Sequence, residues 1–258
     1  MKLLFLHGTF GADDDWHPAI EQLPSPLRKI SDSRSLLGHG GRRPAPSPDL
    51  WTQIVDELKR WLQDSPTIVV AYSLGGRALL QAIHELDPNQ RTQLRGVVLE
   101  GVHPGITDEH EREARARVDH ERAENLQTGD VTAFFRRWYE QPIFGTLARD
   151  AEAIERLAHK RAHGMNTADL ARVFEECSPG VVPARWDTLQ QLRTPLCYIA
   201  GGDDAKYLAI AQAVHAHAEN AELVQIPGAG HNTHLDEPMR FATELARFVS
   251  GLLTADHP

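Results

Sequence analysis

Cysteine is scarce in this chain. Only Cys177 and Cys197 occur, in neither metal-ligand nor C-x-x-C spacing, which excludes a disulfide scaffold and fits a reducing compartment. Positive charge is also in deficit, with 27 Lys and Arg against 36 Asp and Glu and a net charge of −9. Generic nucleic-acid binding needs a basic surface, so that class is set aside. No apolar run approaches the ~18 residues of a transmembrane helix, and no membrane insertion is expected. The opening "MKLLFLHG" runs at once into a strand-like segment and has no room for a secretory signal and cleavage site. A cytoplasmic protein is therefore expected, a monomer or small homo-oligomer. Internal repeats and low-complexity tracts are missing as well. What remains is 258 residues, 41% of them hydrophobic, enough for one α/β domain with an insertion.

The patterning alternates. "KLLFLHG" is a short apolar run ending in glycine, as suits a buried parallel strand. Residues 31–48, rich in Ser, Gly, Arg and Pro, read as a loop. In "PDLWTQIVDELKRWLQD", Leu50, Ile54, Leu58, Trp61 and Leu62 recur at helical spacing behind Asp49, a suitable cap. A strand ("TIVVAYS"), a helix ("LGGRALLQAIHEL") and another strand ("LRGVVLEG") follow. Residues 103–188 carry helical patterns and no clear strand. "LRTPLCYIAGGDD" restores a strand, "YLAIAQAVHAHAE" a helix, "AELVQIPGAGH" a strand and loop, and "PMRFATELARFVSGLL" a closing helix. Such alternation implies a parallel sheet with right-handed crossovers. We expect a core of residues 1–102 and 189–258, with 103–188 inserted as a helical lid.

Reactive groups collect at the carboxyl ends of parallel strands, and Ser73 stands at one. "AYSLG" (71–75) follows the G-x-S-x-G elbow with alanine for the first glycine. A plain helix N-cap is the competing reading of Ser73. A nucleophilic or basic hydroxyl needs an imidazole, and the imidazole an acid, in the chain order Ser, Asp, His. "IAGGDDAKY" offers Asp204, with Asp203 as the alternative. "IPGAGHNTH" offers His231 in a glycine loop, with His234 read as packing or surface. The Thr9 and Leu74 amides are candidates for an oxyanion hole, although His7-Gly8 also reads as a strand-ending turn.

Taken together, "LHGTFG", "GHGG" (38–41), "AYSLGGR", "GGDD" and "AGHNTH" resemble the α/β-hydrolase superfamily, which implies the α/β-hydrolase fold. The middle segment resembles one family within it, the 2-succinyl-6-hydroxy-2,4-cyclohexadiene-1-carboxylate synthases of menaquinone biosynthesis. The resemblance is carried by Ser73–Arg77, by Glu100–Gly105, by the arginine-rich run through Arg112, Arg115 and Arg117, and by Trp138–Pro142. That family commonly has glycine at the position of Ala71, phenylalanine at that of Thr9 and proline at that of Leu37. Because the chain begins directly at the strand before His7, the sheet is expected to lack the first two strands of larger superfamily members.

The resemblance implies elimination of pyruvate from a cyclohexene bearing succinyl, carboxylate and enolpyruvyl groups, with no cofactor and no metal. Ser73, activated by His231 and Asp204, would remove the carbon-bound proton. The partner is then a small anion with three carboxylates, whose binding needs arginines. Arg77, one helical turn after Ser73, can face the pocket. Arg115 and Arg161 match substrate arginines of the family. Bland readings stand beside these. Nine charged residues lie between Glu109 and Arg122, and most are expected to be solvated or paired along the helix. Tyr72, with a donor hydroxyl, and Trp138, as an apolar wall, are candidate contacts that core packing equally explains. Lys206 is a weaker candidate, and Glu100 and His103 read as hinge structure. The runner-up function is hydrolysis of an ester, thioester or carbon–carbon bond in an acidic substrate; a catalytically idle ligand-binding protein is the third.

Overall fold

The computed structural model describes residues 1–145, 147–218 and 220–255. Six strands form one sheet: β1 (Lys2–Leu6), β2 (Ser31–Arg34), β3 (Thr67–Tyr72), β4 (Leu94–Glu100), β5 (Leu196–Gly201) and β6 (Ala221–Ile226). Their order is β2-β1-β3-β4-β5-β6, and every pairing is parallel. The first surprise is β2. Residues 31–48 read as a loop, yet "SDSR" pairs with β1 along its whole length. This edge strand is half-buried and lacks apolar alternation. Backbone pairing holds it, with a 2.8 Å Arg34–Asp32 ion pair, and neither leaves a hydrophobic signature.

Helices α1 (His17–Glu21) and α2 (Ser25–Ile30) connect β1 to β2, and α3 (Leu50–Gln63) and α4 (Leu74–Glu85) flank β3. The α3 start is as the sequence predicts: the Asp49 side chain accepts from the Thr52 amide at 2.9 Å. Between β4 and β5 the chain runs through α5 (Glu109–Thr128), α6 (Val131–Tyr139), α7 (Ala151–Gly164), α8 (Thr167–Cys177) and α9 (Trp186–Gln191). Then come α10 (Ala205–His217), α11 (Thr233–Asp236) and α12 (Pro238–Ala255).

Strand periodicity splits the core in two. Leu4, Leu6, Val69, Ala71, Val97 and Leu99 face α3 and α4, while Leu3, Phe5, Ile68, Val70 and Val98 face Trp16 and α12. A third cluster lies within the helices after β4, built on Phe134, Phe135 and Phe174. Its buried members all come from residues 123–174 except one, Phe10 from the loop after β1. Phe10 has φ 63, a left-handed conformation that a bulky side chain rarely adopts. Its ring is wedged edge-on between Phe135 at 5.1 Å and Trp138 at 5.0 Å. Aromatic packing against the helical segment thus holds the loop that carries Thr9 in a strained shape.

Candidate active site

The parallel register brings the carboxyl ends of β1, β3, β4 and β5 to one edge. There β3 turns into α4 through Ser73, at φ 47 and ψ −107. Small residues are required because β1 runs alongside: a Cβ on Gly75 would stand 2.7 Å from the His7 carbonyl oxygen. The turn is pinned by the Ser73 amide donating to Glu100 O (3.0 Å) and the Gly75 amide donating to His7 O (3.1 Å). Ser73 does occupy the N-cap position of α4, but its side chain makes no cap hydrogen bond. The hydroxyl faces a cavity of about 520 Å³ that His231 also lines.

Asp204, at the start of α10, is buried, whereas Asp203 is exposed. His231 Nδ1 donates to Asp204 Oδ2 at 3.1 Å, which leaves Nε2 as the nitrogen available to a hydroxyl. The ring lies between Tyr207 (4.2 Å) and Tyr72 (5.1 Å), and its own amide donates to Ile143 O at 3.0 Å. Ser73 Oγ makes no hydrogen bond to any described residue, so the Ser–His contact is open in this structure while the His–Asp contact is formed.

Thr9 lines the cavity. The Leu74 side chain is buried in the core beneath the elbow, so only its backbone is offered. His7, read from the sequence as a strand end, has a further part. The Leu36 amide donates to His7 Nε2 at 2.9 Å, so the ring proton sits on Nδ1 and is donated to Gly8 O at 2.7 Å. In a trans peptide the carbonyl and the following N–H point in opposite directions. Holding the Gly8 carbonyl to His7 therefore turns the Thr9 N–H away from it.

Burial lowers the His7 pKa to about 4 against an ordinary 6.5. Below pH 6.5 the unfolded chain takes up a proton that the native ring refuses until about pH 4, so acidification through this window removes stability. The expected loss from this ring is on the order of 3 kcal/mol. Asp236, raised by burial to about 6, acts in the opposite sense, because the native carboxyl is protonated before the unfolded one. Urea unfolding of wild type and His7→Asn from pH 7 to pH 4 isolates the histidine: the stability difference between them should shrink as pH falls. Parallel curves would show that His7 is not the group responsible.

Five cations line the cavity: Arg77, Arg115, Arg122, Arg161 and Lys206. They are not equivalent. Arg77 is 8% exposed, its Nε has no partner, and its one hydrogen bond, from Nη2 to Cys177 O, is long at 3.4 Å. Burial, and then the neighbouring Arg115, lower its pKa to about 10, which still leaves a cation at neutral pH. Arg115 gives Nε to Asp119 at 2.7 Å. Arg161, expected from the sequence to meet a substrate carboxylate, already has one: its Nη2 donates to both oxygens of Asp15 (2.7 and 2.6 Å) and its Nε to the Tyr139 hydroxyl (3.2 Å). Burial opposes ionisation of Asp15, but the Arg161 charge and hydrogen bonds outweigh it and hold the carboxyl below its usual range.

Other expectations are modified in the same way. Tyr72 lines the cavity, but its hydroxyl donates to Asn232 Oδ1 and is not a free donor. Trp138 does lie in the wall. His234 is buried, stacked on Trp16 at 4.1 Å, with Nδ1 2.8 Å from Glu100 Oε2; it packs as the sequence suggests and also lines the cavity. Glu100 is fully buried and accepts from the Thr233 hydroxyl (2.6 Å) and the His234 amide (3.0 Å), so it ties the histidine loop to the end of β4. His103 and Lys206 line the cavity. Arg122, Asn232 and Tyr207 also line the cavity; the last two lie within "AGHNTH" and "IAGGDDAKY", but no residue spacing there assigns them a role.

Comparison with known proteins places this geometry. The model of the Alpha/beta hydrolase family matches residues 3–244. A 2-succinyl-6-hydroxy-2,4-cyclohexadiene-1-carboxylate synthase from Salmonella typhimurium is 33% identical over 252 residues, covering 96% of this chain and 93% of its own. MenH from S. aureus superposes with a TM-score of 0.87 at 23% identity, over 98% of this chain and 94% of that one. An esterase from Exiguobacterium antarcticum shares the fold at a TM-score of 0.75 and 16% identity, over 97% and 92%. The chain belongs to the α/β-hydrolase family and, within it, to the 2-succinyl-6-hydroxy-2,4-cyclohexadiene-1-carboxylate synthases.

Proposed function

We propose that this protein is a lyase of menaquinone biosynthesis. It eliminates pyruvate from 2-succinyl-5-enolpyruvyl-6-hydroxy-3-cyclohexene-1-carboxylate, giving 2-succinyl-6-hydroxy-2,4-cyclohexadiene-1-carboxylate. One observation carries this beyond family membership: Arg77 is a buried guanidinium one turn from Ser73 whose Nε has no partner and whose side chain makes one long hydrogen bond, to the Cys177 carbonyl, with no carboxylate among the described residues paired to it. An isolated charge inside a protein is costly unless an anion meets it. A substrate with three carboxylates supplies that anion.

The chemistry follows from the groups. Ser73, with His231 behind it, takes the carbon-bound proton next to the succinyl carbonyl, and the proton passes to the imidazole, which Asp204 stabilises as imidazolium. The Thr9 and Leu74 amides meet the enolate oxygen. Collapse of the enolate restores the carbonyl, places a double bond at the deprotonated ring carbon, moves the existing ring double bond one position toward the enolpyruvyl-bearing carbon and breaks that carbon's bond to oxygen. The departing three-carbon unit takes up a proton and becomes pyruvate. No electron is gained or lost overall. Residues 103–188 serve as a lid over the strand ends, contributing Arg115, Arg161 and Trp138 to the site. The free thiols Cys177 and Cys197 support a cytoplasmic setting. Among the described residues no helix is long and apolar enough to cross a membrane.

Purified protein with the enolpyruvyl substrate should release pyruvate, followed by a coupled lactate dehydrogenase assay. Absence of pyruvate together with rapid turnover of an ester and a covalent adduct on Ser73 would favour the hydrolase reading instead.

A further inference from the structure

Asp119, on α5, is 1% exposed yet receives donors from three sides. Its Oδ2 accepts from Arg115 Nε and from the Ser178 hydroxyl, both at 2.7 Å, and its Oδ1 accepts from Arg122 Nη1 at 2.7 Å. The Ser178 oxygen in turn accepts from the Gly180 amide at 3.0 Å, which anchors the carboxylate to the turn after α8. Arg115 stands four residues before Asp119 and Arg122 three after it, so one helix face presents both guanidiniums to a single carboxylate. Arg122 also lies 5.3 Å from the Trp138 ring and 5.9 Å from the Phe174 ring, contacts that set the plane of its guanidinium. One negative charge therefore faces two positive ones. The remaining N–H groups of both arginines bond to no described residue, and both side chains line the cavity shared by Ser73 and His231.

We propose that Asp119 is a positioning residue that aims Arg115 and Arg122 as a two-pronged clamp on one substrate carboxylate, with Arg122 a binding residue in its own right. The proposal rests on reading the substrate as a polycarboxylate. It adds to that reading a fourth arginine, Arg122, and the group that directs it. Planar guanidiniums held at one edge present their other N–H groups in a fixed direction, which a mobile ammonium does not.

Arg122→Met is the decisive variant, because it keeps an apolar stem over Trp138 and removes only the charged fork. KM for pyruvate release should rise about 10- to 100-fold with kcat within about threefold, the signature of lost substrate binding. Arg122→Lys should recover only part of that loss. Asp119→Asn should raise KM in the same direction, since both arginines lose their anchor. Arg172→Met, on α8 and paired with Glu176 outside the cavity, is the control and should leave KM unchanged. If Asp119→Asn does not fold, Arg122→Met alone decides.

An unchanged KM in Arg122→Met overturns the proposal. So does a fall in kcat alone, which makes the trio a staple between α5 and the turn after α8. If the wild type releases no pyruvate, the functional reading fails separately, and calorimetric titration with propane-1,2,3-tricarboxylate still tests the clamp. Binding by wild type that weakens about tenfold or more in Arg122→Met supports it. Equal binding by the two proteins, or none by wild type, overturns it.

Discussion

Alanine at position 73 is expected to lower the rate of pyruvate release by about 10³-fold or more, with substrate affinity within a few-fold of wild type. In the proposed mechanism the hydroxyl is the group nearest the chemistry, and His231 and Asp204 act only through it. Because alanine keeps the Cβ, the strained φ of 47 is unchanged and the variant should fold as wild type does. Glycine at the same position abolishes activity equally but relaxes the backbone. Ser73→Gly should therefore be the more stable of the two, by about 1 kcal/mol. Single-turnover kinetics and thermal unfolding measure the two effects separately. Activity retained in Ser73→Ala would remove the serine from the mechanism.

Replacing Arg77 with methionine should act on binding and stability in opposite directions. KM should rise about 10- to 100-fold, since a charge-assisted pair to a carboxylate is lost. Stability should increase by about 1–3 kcal/mol, because an apolar side chain of similar volume replaces a buried cation that holds only one long hydrogen bond. A higher melting temperature together with weaker substrate binding marks a residue retained for function at the expense of the fold. A destabilised Arg77→Met protein with unaltered KM would instead make Arg77 a packing residue. Arg161→Met offers the contrast: it leaves the buried Asp15 carboxylate with only the Ala12 amide and a 3.4 Å contact to Lys160, so its effect on stability should be of the opposite sign.

Much of this molecule is legible from short stretches of chain. The short continuous apolar runs of β1, β3 and β4 mark strands buried on both faces of the sheet, and the Asp49 cap marks the start of α3. "AYSLGG" announces the elbow because a sharp strand-to-helix turn admits few side chains, and the order of Ser73, Asp204 and His231 follows from the topology. Each of these signals is local or is imposed by strand order. Edge strand β2 escaped because its burial is slight and its pairing lies in the backbone.

The division of labour among the cations was largely a matter for tertiary structure. Arg115 has Asp119 one helical turn away along the chain, but no acidic neighbour at helical spacing announces the contrast between Arg77 and Arg161. Folding brings Asp15 onto Arg161 from 146 residues away and gives Asp119 to Arg115 and Arg122 together, while Arg77 receives only a distant carbonyl. The sequence by itself determined the sheet apart from edge strand β2, the elbow and the chain order of the candidate hydroxyl, acid and imidazole. Only the packed chain decided which charges are neutralised internally and which are left without a carboxylate partner, because Coulomb energy depends on separation in space and on burial, not on distance along the chain.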